Sequence, residues 1–158
     1  MSIADPEIIA ATGWTTADLA AAMERTSPDG PFDIVTLMIG VNNQFQGLDV
    51  GEYRREFLGL LTSALELAGG KSANVIVLSI PDYGVTPFAA SLDGSRIARE
   101  IDEFSAVNQE EAIKRGVAYV DVTGISRQAK TDLSLIAVDG LHPSGRMYEV
   151  WADLVYSQ

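Results

Sequence analysis

The chain contains a single histidine, His142, so any imidazole acting as a base must be that one. Asp139 stands three residues before it, near enough to accept a hydrogen bond from the ring and fix its tautomer, which is how a histidine is made a directed general base. The pair has a plainer explanation too: Asp-x-x-His arises by chance, and a surface histidine at a helix start needs no catalytic role. Asn42 follows Gly40 at the end of an apolar run. There its side-chain amide could donate to an oxyanion while the glycine lets the backbone turn sharply; Asn-Asn after a strand is equally an ordinary way to open a loop. Gly13, placed after a short apolar run and before a helix, could present a backbone N–H to the same anion, although glycine is common in such turns.

These residues must be positioned by the elements around them. Glu7 to Ala11 is a short apolar run read as a strand, and Thr15-Thr16-Ala17-Asp18 reads as a capping box opening a helix that ends near Ser27-Pro28. Phe32 to Ile39 and Asn74 to Ile80 are β-branched and apolar on both faces, the pattern of strands covered by helices above and below. Between them, Tyr53, Phe57, Leu60, Leu61, Ala64, Leu65 and Ala68 recur at helical spacing, and Gly69-Gly70 supplies a stop. Pro81 to Leu92 reads as an irregular loop at a strand end, able to line a cleft. A helix carrying Ile97, Ile101, Phe104 and Asn108 on one face closes at Gly116, and a strand covers Val117 to Val122. Pro143 suits the first turn of a last helix whose stripe is Met147, Val150, Trp151, Leu154 and Val155.

Strands alternating with helices predict an α/β chain, a three-layer α/β/α sandwich with a parallel sheet. In such sheets sites form at the C-terminal ends of the strands, which the segments around Gly13, Gly40 to Asn43, and Asp139 to His142 could all reach. No repeat or low-complexity linker divides the 158 residues, so residues 1–158 are read as one domain.

Composition removes several functions. Eleven Lys plus Arg against 22 Asp plus Glu leave a formal charge of −11, which repels nucleic-acid backbones and anionic lipid. The absence of cysteine removes disulfides, thiolate metal sites and a cysteine nucleophile. No apolar stretch approaches the roughly 20 residues that span a bilayer, and Met1 to Pro6 lacks the features of a signal peptide. The expectation is therefore a cytoplasmic chain without nucleic-acid or membrane partners.

Taken in order, the segments resemble the SGNH hydrolases, the GDSL-type esterases and lipases. Ile39-Gly40-Val41-Asn42-Asn43 is similar to the family's Gly-x-Asn-Asp block, Asp139-Gly140-Leu141-His142-Pro143-Ser144 to its Asp-x-x-His block, and Ala11 to Thr16 to its glycine block. The resemblance runs from about Glu7 to Leu154. It implies a flavodoxin-like sheet, a small-molecule ester substrate and no cofactor or metal. It also implies roles: His142 as base, Asp139 as its orienting carboxylate, Gly13 N–H and the Asn42 amide as two of three oxyanion donors. Asn43 departs from the family's Asp.

The larger departure concerns the nucleophile. The Gly-Asp-Ser block and its strand should precede the glycine block by several tens of residues, yet 12 residues stand before Gly13 and none forms that motif. Ser2, Ser79, Ser91, Ser95 and Ser144 do not follow the strand-to-turn pattern that exposes a nucleophile. The expectation is an N-terminally truncated esterase domain lacking an interior first strand, inactive by itself, with a vacant sheet position that favours self-association. Two other functions remain open on this scaffold: a non-catalytic binding module, and a flavodoxin-like nucleotide binder, which the lack of a Gly-rich phosphate loop disfavours.

Overall fold

In the computed structural model, which describes residues 5–157, three short strands pair side by side and in parallel. They are β1 (Val35–Leu37), β2 (Val75–Leu78) and β3 (Ala118–Val120), in that spatial order. Val35 lies opposite Val75 and Leu37 opposite Val77, and Leu78 lies opposite Val120. Parallel strands need crossover connections, and helices supply them. α1 (Thr16–Thr26) precedes β1; α2 (Val41–Phe45) and α3 (Val50–Leu67) join β1 to β2; α4 (Gly94–Lys114) joins β2 to β3; α5 (Thr123–Ser126) and α6 (Gly145–Tyr156) follow.

Because side chains alternate across a strand, the sheet feeds two cores. Val35, Leu37, Val75, Val77 and Tyr119 join a cluster with Leu19 of α1, Tyr53, Phe57, Leu60 and Leu61 of α3, and Ile97, Ile101 and Phe104 of α4. On the opposite face Ile76, Leu78, Val120 and Val122 meet Met147 and Trp151 of α6. Each of these large buried side chains contributes roughly 1.5–3 kcal/mol. Among the described residues, the second face is covered only over β2 and β3. Above β1, Ile34 and Met38 are 58% and 39% exposed and Thr36 is exposed as well.

The helices start and stop as their sequences dictate. Thr15 caps α1 with the reciprocal box: Asp18 N–H donates to the Thr15 hydroxyl while the Asp18 carboxylate accepts from Thr15 N–H at 2.9 Å, and Ser27 ends the helix in the left-handed region. The expected apolar faces of α3 and α4 are buried, including Asn108.

Two expectations are corrected. Glu7 to Ala11 forms no strand. Among the described residues no neighbouring strand offers it a ladder, its side chains lie mostly in solvent, and only Ile9 packs on the core, so nothing rewards the extended pairing. Pro143 is outside the last helix: Ser144 caps α6 through its hydroxyl, and Pro143 instead makes an antiparallel bridge with Ile136. The stretch before Thr131 folds as α5 and a 3-10 turn over Arg127–Lys130. Ser2 and the rest of Met1 to Ala4 lie outside the described residues. Among those described, no helix is long and apolar enough to cross a membrane.

Candidate active site

A cleft of about 410 Å³ opens at the C-terminal ends of the strands. Gly13, Asn42 and His142 all line it, with Thr12, Val41 and Phe45 on the side of the first two, and Leu141, Pro143 and Met147 on the side of the histidine. Three segments spread over about 130 residues of sequence thus share one cavity. Asp139 stands behind the imidazole.

The Asp139–His142 pair is built locally. The loop folds back so that Leu141 and His142 N–H both donate to Asp139 Oδ1, at 2.9 and 3.0 Å, while Asp139 Oδ2 lies 2.7 Å from His142 Nδ1. Gly140 enables this turn with φ 76°. The Leu141 N–H, the His142 ring and the His142 N–H pull the Asp139 carboxyl down to about 2, so it is a carboxylate at neutral pH and holds the hydrogen on Nδ1. That leaves Nε2 as the ring's acceptor. Both side chains are about half exposed, 53% for His142 and 49% for Asp139.

The opposite wall is built from distant parts. Gly40 takes φ 128°, and a β-carbon there would stand 2.6 Å from the Tyr53 hydroxyl and 2.7 Å from Ile80 Cδ1; only glycine fits. Directly beneath, the Tyr53 hydroxyl lies 2.9 Å from the Ile39 carbonyl and 2.5 Å from Asn108 Oδ1, while Asn108 Nδ2 has no partner. The phenol has one hydrogen for these two acceptors. Turning the Asn108 amide over brings its unpartnered nitrogen to the phenol oxygen and leaves the hydrogen for Ile39. Burial pushes the Tyr53 phenol up, keeping it a neutral donor.

Asn42 Nδ2 donates to the Trp14 carbonyl at 3.0 Å. An amide nitrogen carries two hydrogens; one is thus used to orient the group, leaving a second to donate. Gly13 sits beside it with φ 85°. Asn43, buried, accepts from Thr16 N–H at 3.1 Å and donates to the Thr16 hydroxyl at 2.6 Å, so the residue that differs from the family's Asp does fix the neighbouring loop.

The floor and far end come from the loop after β2, as its position at a strand end suggested: Pro81, Asp82, Tyr83, Thr86 and Phe88 line the cleft. Phe45 stacks edge-on against Tyr83 at 5.7 Å and lies 6.3 Å from Phe88. Asp82 is 2% exposed, accepts from Gly84 N–H at 2.8 Å and pairs with Arg127 Nε at 2.9 Å, and Arg127 reaches on to Asp102 at 2.8 Å. Sequence reasoning missed this pair and also Ser126, which lines the cleft. The Asp-x-Gly spelling of 82–84 was a turn signal; Arg127 and Ser126 carried none.

The serines weighed as nucleophiles are placed as follows. Ser79 is fully buried, and its hydroxyl oxygen receives Val122 N–H and Thr123 N–H while lying 3.1 Å from Asp121 Oδ1, to which it donates; the Thr123 hydroxyl beside it donates to the Ile80 carbonyl at 2.7 Å. Ser144 caps α6 and donates to the Ser134 carbonyl at 2.7 Å. Ser91 and Ser95 are exposed and do not line the cleft. Ser126 does, but its hydroxyl accepts from Asp82 N–H at 2.8 Å and donates to the Thr123 carbonyl at 2.7 Å. Among the described residues no group of three His, Cys, Asp or Glu side chains could hold a metal ion.

Solved structures share this architecture. A lipase/acylhydrolase from Enterococcus faecalis matches at TM-score 0.63 and 21% identity, over 90% of this chain and 69% of that one. An acetylxylan esterase from Geobacillus stearothermophilus matches at TM-score 0.67 and 23% identity, over 92% and 67%. A psychrotrophic esterase from Pseudoalteromonas sp. matches at TM-score 0.58 and 17% identity, over 92% and 70%. At these identities the likeness establishes the fold. No curated protein matches in sequence. The profile of the GDSL-like lipase/acylhydrolase family matches residues 3–150, nearly the whole chain, and the protein belongs to that family.

Proposed function

We propose that the chain is the larger part of an ester hydrolase working by an acyl-serine mechanism on a small-molecule ester, with the nucleophilic serine contributed from outside the described residues. The observation that carries this reading is the convergence of Gly13, Asn42 and His142 on one cleft, with Asp139 bound to the far side of the imidazole. His142 Nε2 takes the proton of the attacking serine and returns it to the leaving alcohol, and Asp139 holds the ring through both transfers. The negative charge that develops on the carbonyl oxygen falls to Gly13 N–H and the second Asn42 N–H. Oxyanion donors and a histidine base suffice for this chemistry.

The external serine is supported by two features. Every described serine in or near the cleft is committed elsewhere, and β1 has no outer neighbour among the described residues while its second face is bare at Ile34 and Met38. A strand on that edge, ending in a nucleophile beside Gly13, fits both features and matches the interior first strand of a flavodoxin-like, three-layer sheet. In its absence, the same edge suits a second copy of the chain.

A second reading, a non-catalytic binding module, is favoured by one observation: Ser126, the described serine that lines the cleft, has its hydroxyl bonded on both sides. Labelling with a serine-reactive fluorophosphonate, followed by intact mass and peptide mapping, separates the two. The expected result is no adduct on the 158-residue chain and stoichiometric labelling, abolished by His142→Ala, once a strand ending in Gly-Asp-Ser is added. Failure to label after that addition supports the binding module. An adduct mapped to any serine within residues 5–157 refutes the external serine.

A further inference from the structure

Position 43 has an amide for a reason that lies outside the cleft. Asn43 Oδ1 accepts from the Thr16 backbone N–H at 3.1 Å, and because that group can only donate, the amide's orientation is fixed. Its nitrogen therefore faces the Thr16 hydroxyl, at 2.6 Å, and donates to it. The hydroxyl has one hydrogen, and it goes to Glu56 Oε2 on α3. The donors run one way, from Asn43 through Thr16 to Glu56. A carboxylate at 43 could not begin such a chain: Thr16 would have one hydrogen for two carboxylates, and two like charges would meet across a hydroxyl that is fully buried.

The relay holds the segments that carry Gly13 and Asn42. Thr16 opens α1 three residues after Gly13, Asn43 follows Asn42, and the Trp14 carbonyl between them takes the Asn42 amide at 3.0 Å. Upstream support is slight: among the described residues, the segment before Gly13 joins no ladder, Ile9 alone of it packs on the core, Trp14 N–H reaches back to the Ala11 carbonyl at 3.4 Å, and the space into which a Gly13 β-carbon would point is empty to 4 Å. The place of the Gly13 N–H is thus set mainly from its C-terminal side, by the bonds at Trp14 and Thr16.

We propose that Glu56 is a positioning residue for the oxyanion wall, acting through Thr16 to require an asparagine at position 43 and to keep Gly13 and Asn42 in register. This rests on the reading of Gly13 and Asn42 as oxyanion donors. It makes positions 43 and 56 an exchange pair, in which one carboxylate is tolerated and two are not.

The test is a cycle on the 158-residue chain: Asn43→Asp, Glu56→Gln and the two together. Each variant is unfolded in urea, and nitrogen–proton spectra follow the Gly13 backbone amide and the Asn42 side-chain amide. Asn43→Asp is expected to lower the folded-to-unfolded ratio at neutral pH roughly tenfold to a hundredfold and to move both signals. Glu56→Gln alone costs little, because its oxygen still accepts from Thr16. Added to Asn43→Asp, it restores most of the ratio and returns both signals towards their original places. If Asn43→Asp does not fold, folding of the double variant under the same conditions is the same result. Additive losses overturn the proposal. Recovery of stability without return of the two signals overturns the positioning role and leaves the relay merely structural. Neither readout uses turnover, so the outcome is independent of whether the chain hydrolyses esters.

Discussion

The two walls of the cleft are held in opposite ways. On one, the side-chain bonds that orient the His142 ring come from Asp139, three residues away, and both members of the pair are half exposed. On the other, Gly13 and Asn42 depend on Thr16, Tyr53, Glu56 and Asn108, and the bonds span 14 to 55 residues in sequence. A locally built group can be altered without disturbing the fold, whereas a wall made of long-range buried bonds shares its stability with the core. The His142 wall and the Gly13–Asn42 wall should therefore respond very differently to substitution.

The strongest way to break the contrast is Gly40→Ala. It combines a β-carbon 2.6 Å from the Tyr53 hydroxyl with φ 128°, and should cost about 3 kcal/mol or more in urea unfolding; a loss under about 1 kcal/mol would show that the turn can relax away from Tyr53. Tyr53→Phe should follow at about 1–3 kcal/mol, because it strands the Ile39 carbonyl and the Asn108 amide in the interior. Gly13→Ala isolates the backbone contribution. With nothing within 4 Å of the new methyl and φ 85°, the expected cost is about 1 kcal/mol, and a larger one would reveal a contact that the open space does not predict. The smallest effect belongs to the His142 wall. His142→Ala should leave stability within about 0.5 kcal/mol while removing any serine labelling, and a cooperative loss of several kcal/mol would erase the distinction between the walls.

Acid titration sharpens the same comparison. The folded Asp139 carboxyl is drawn down to about 2 from an ordinary 3.8. Its depressed folded value means that its contribution is present above about pH 4 and fades as pH falls towards 2. Glu111, held by Lys114, Arg54 and Arg115 between α3 and α4, is likewise drawn down, from 4.5 to about 2. Unfolding followed from pH 5 to 2 should show both contributions waning. Asp139→Asn should flatten the limb slightly and Glu111→Gln more, because the Glu111 side chain is only 6% exposed and that of Asp139 is 49% exposed.

The contrast between the walls also governs what the sequence revealed. The capping box at Thr15, the helical stripes of α3 and α4, and the Asp139–His142 spacing could be read directly, because each is a relation among near neighbours. Gly40 and Asn42 could be read as a sharp turn with a donor. What could not be read was why position 43 is an amide, since the answer is Glu56 and a hydroxyl between them. Asp82 and Arg127 were missed for the same reason, being 45 residues apart. The run from Glu7 to Ala11 shows the converse failure: its apolar character was real, but a strand is defined by its neighbour, and composition does not say whether the neighbour is there.

The polar groups at the far end of the cleft turn inward: Asp82 to Arg127 and Gly84, Thr86 to the Tyr83 carbonyl, and Ser126 to Asp82 and Thr123. Solvent filling that end meets the Phe45 and Phe88 rings and finds few groups to anchor it. Loosely held water is inexpensive to displace, so a ligand entering there gains from dehydration more than from new polar contacts. Its calorimetric mark is a negative heat-capacity change that persists at high salt.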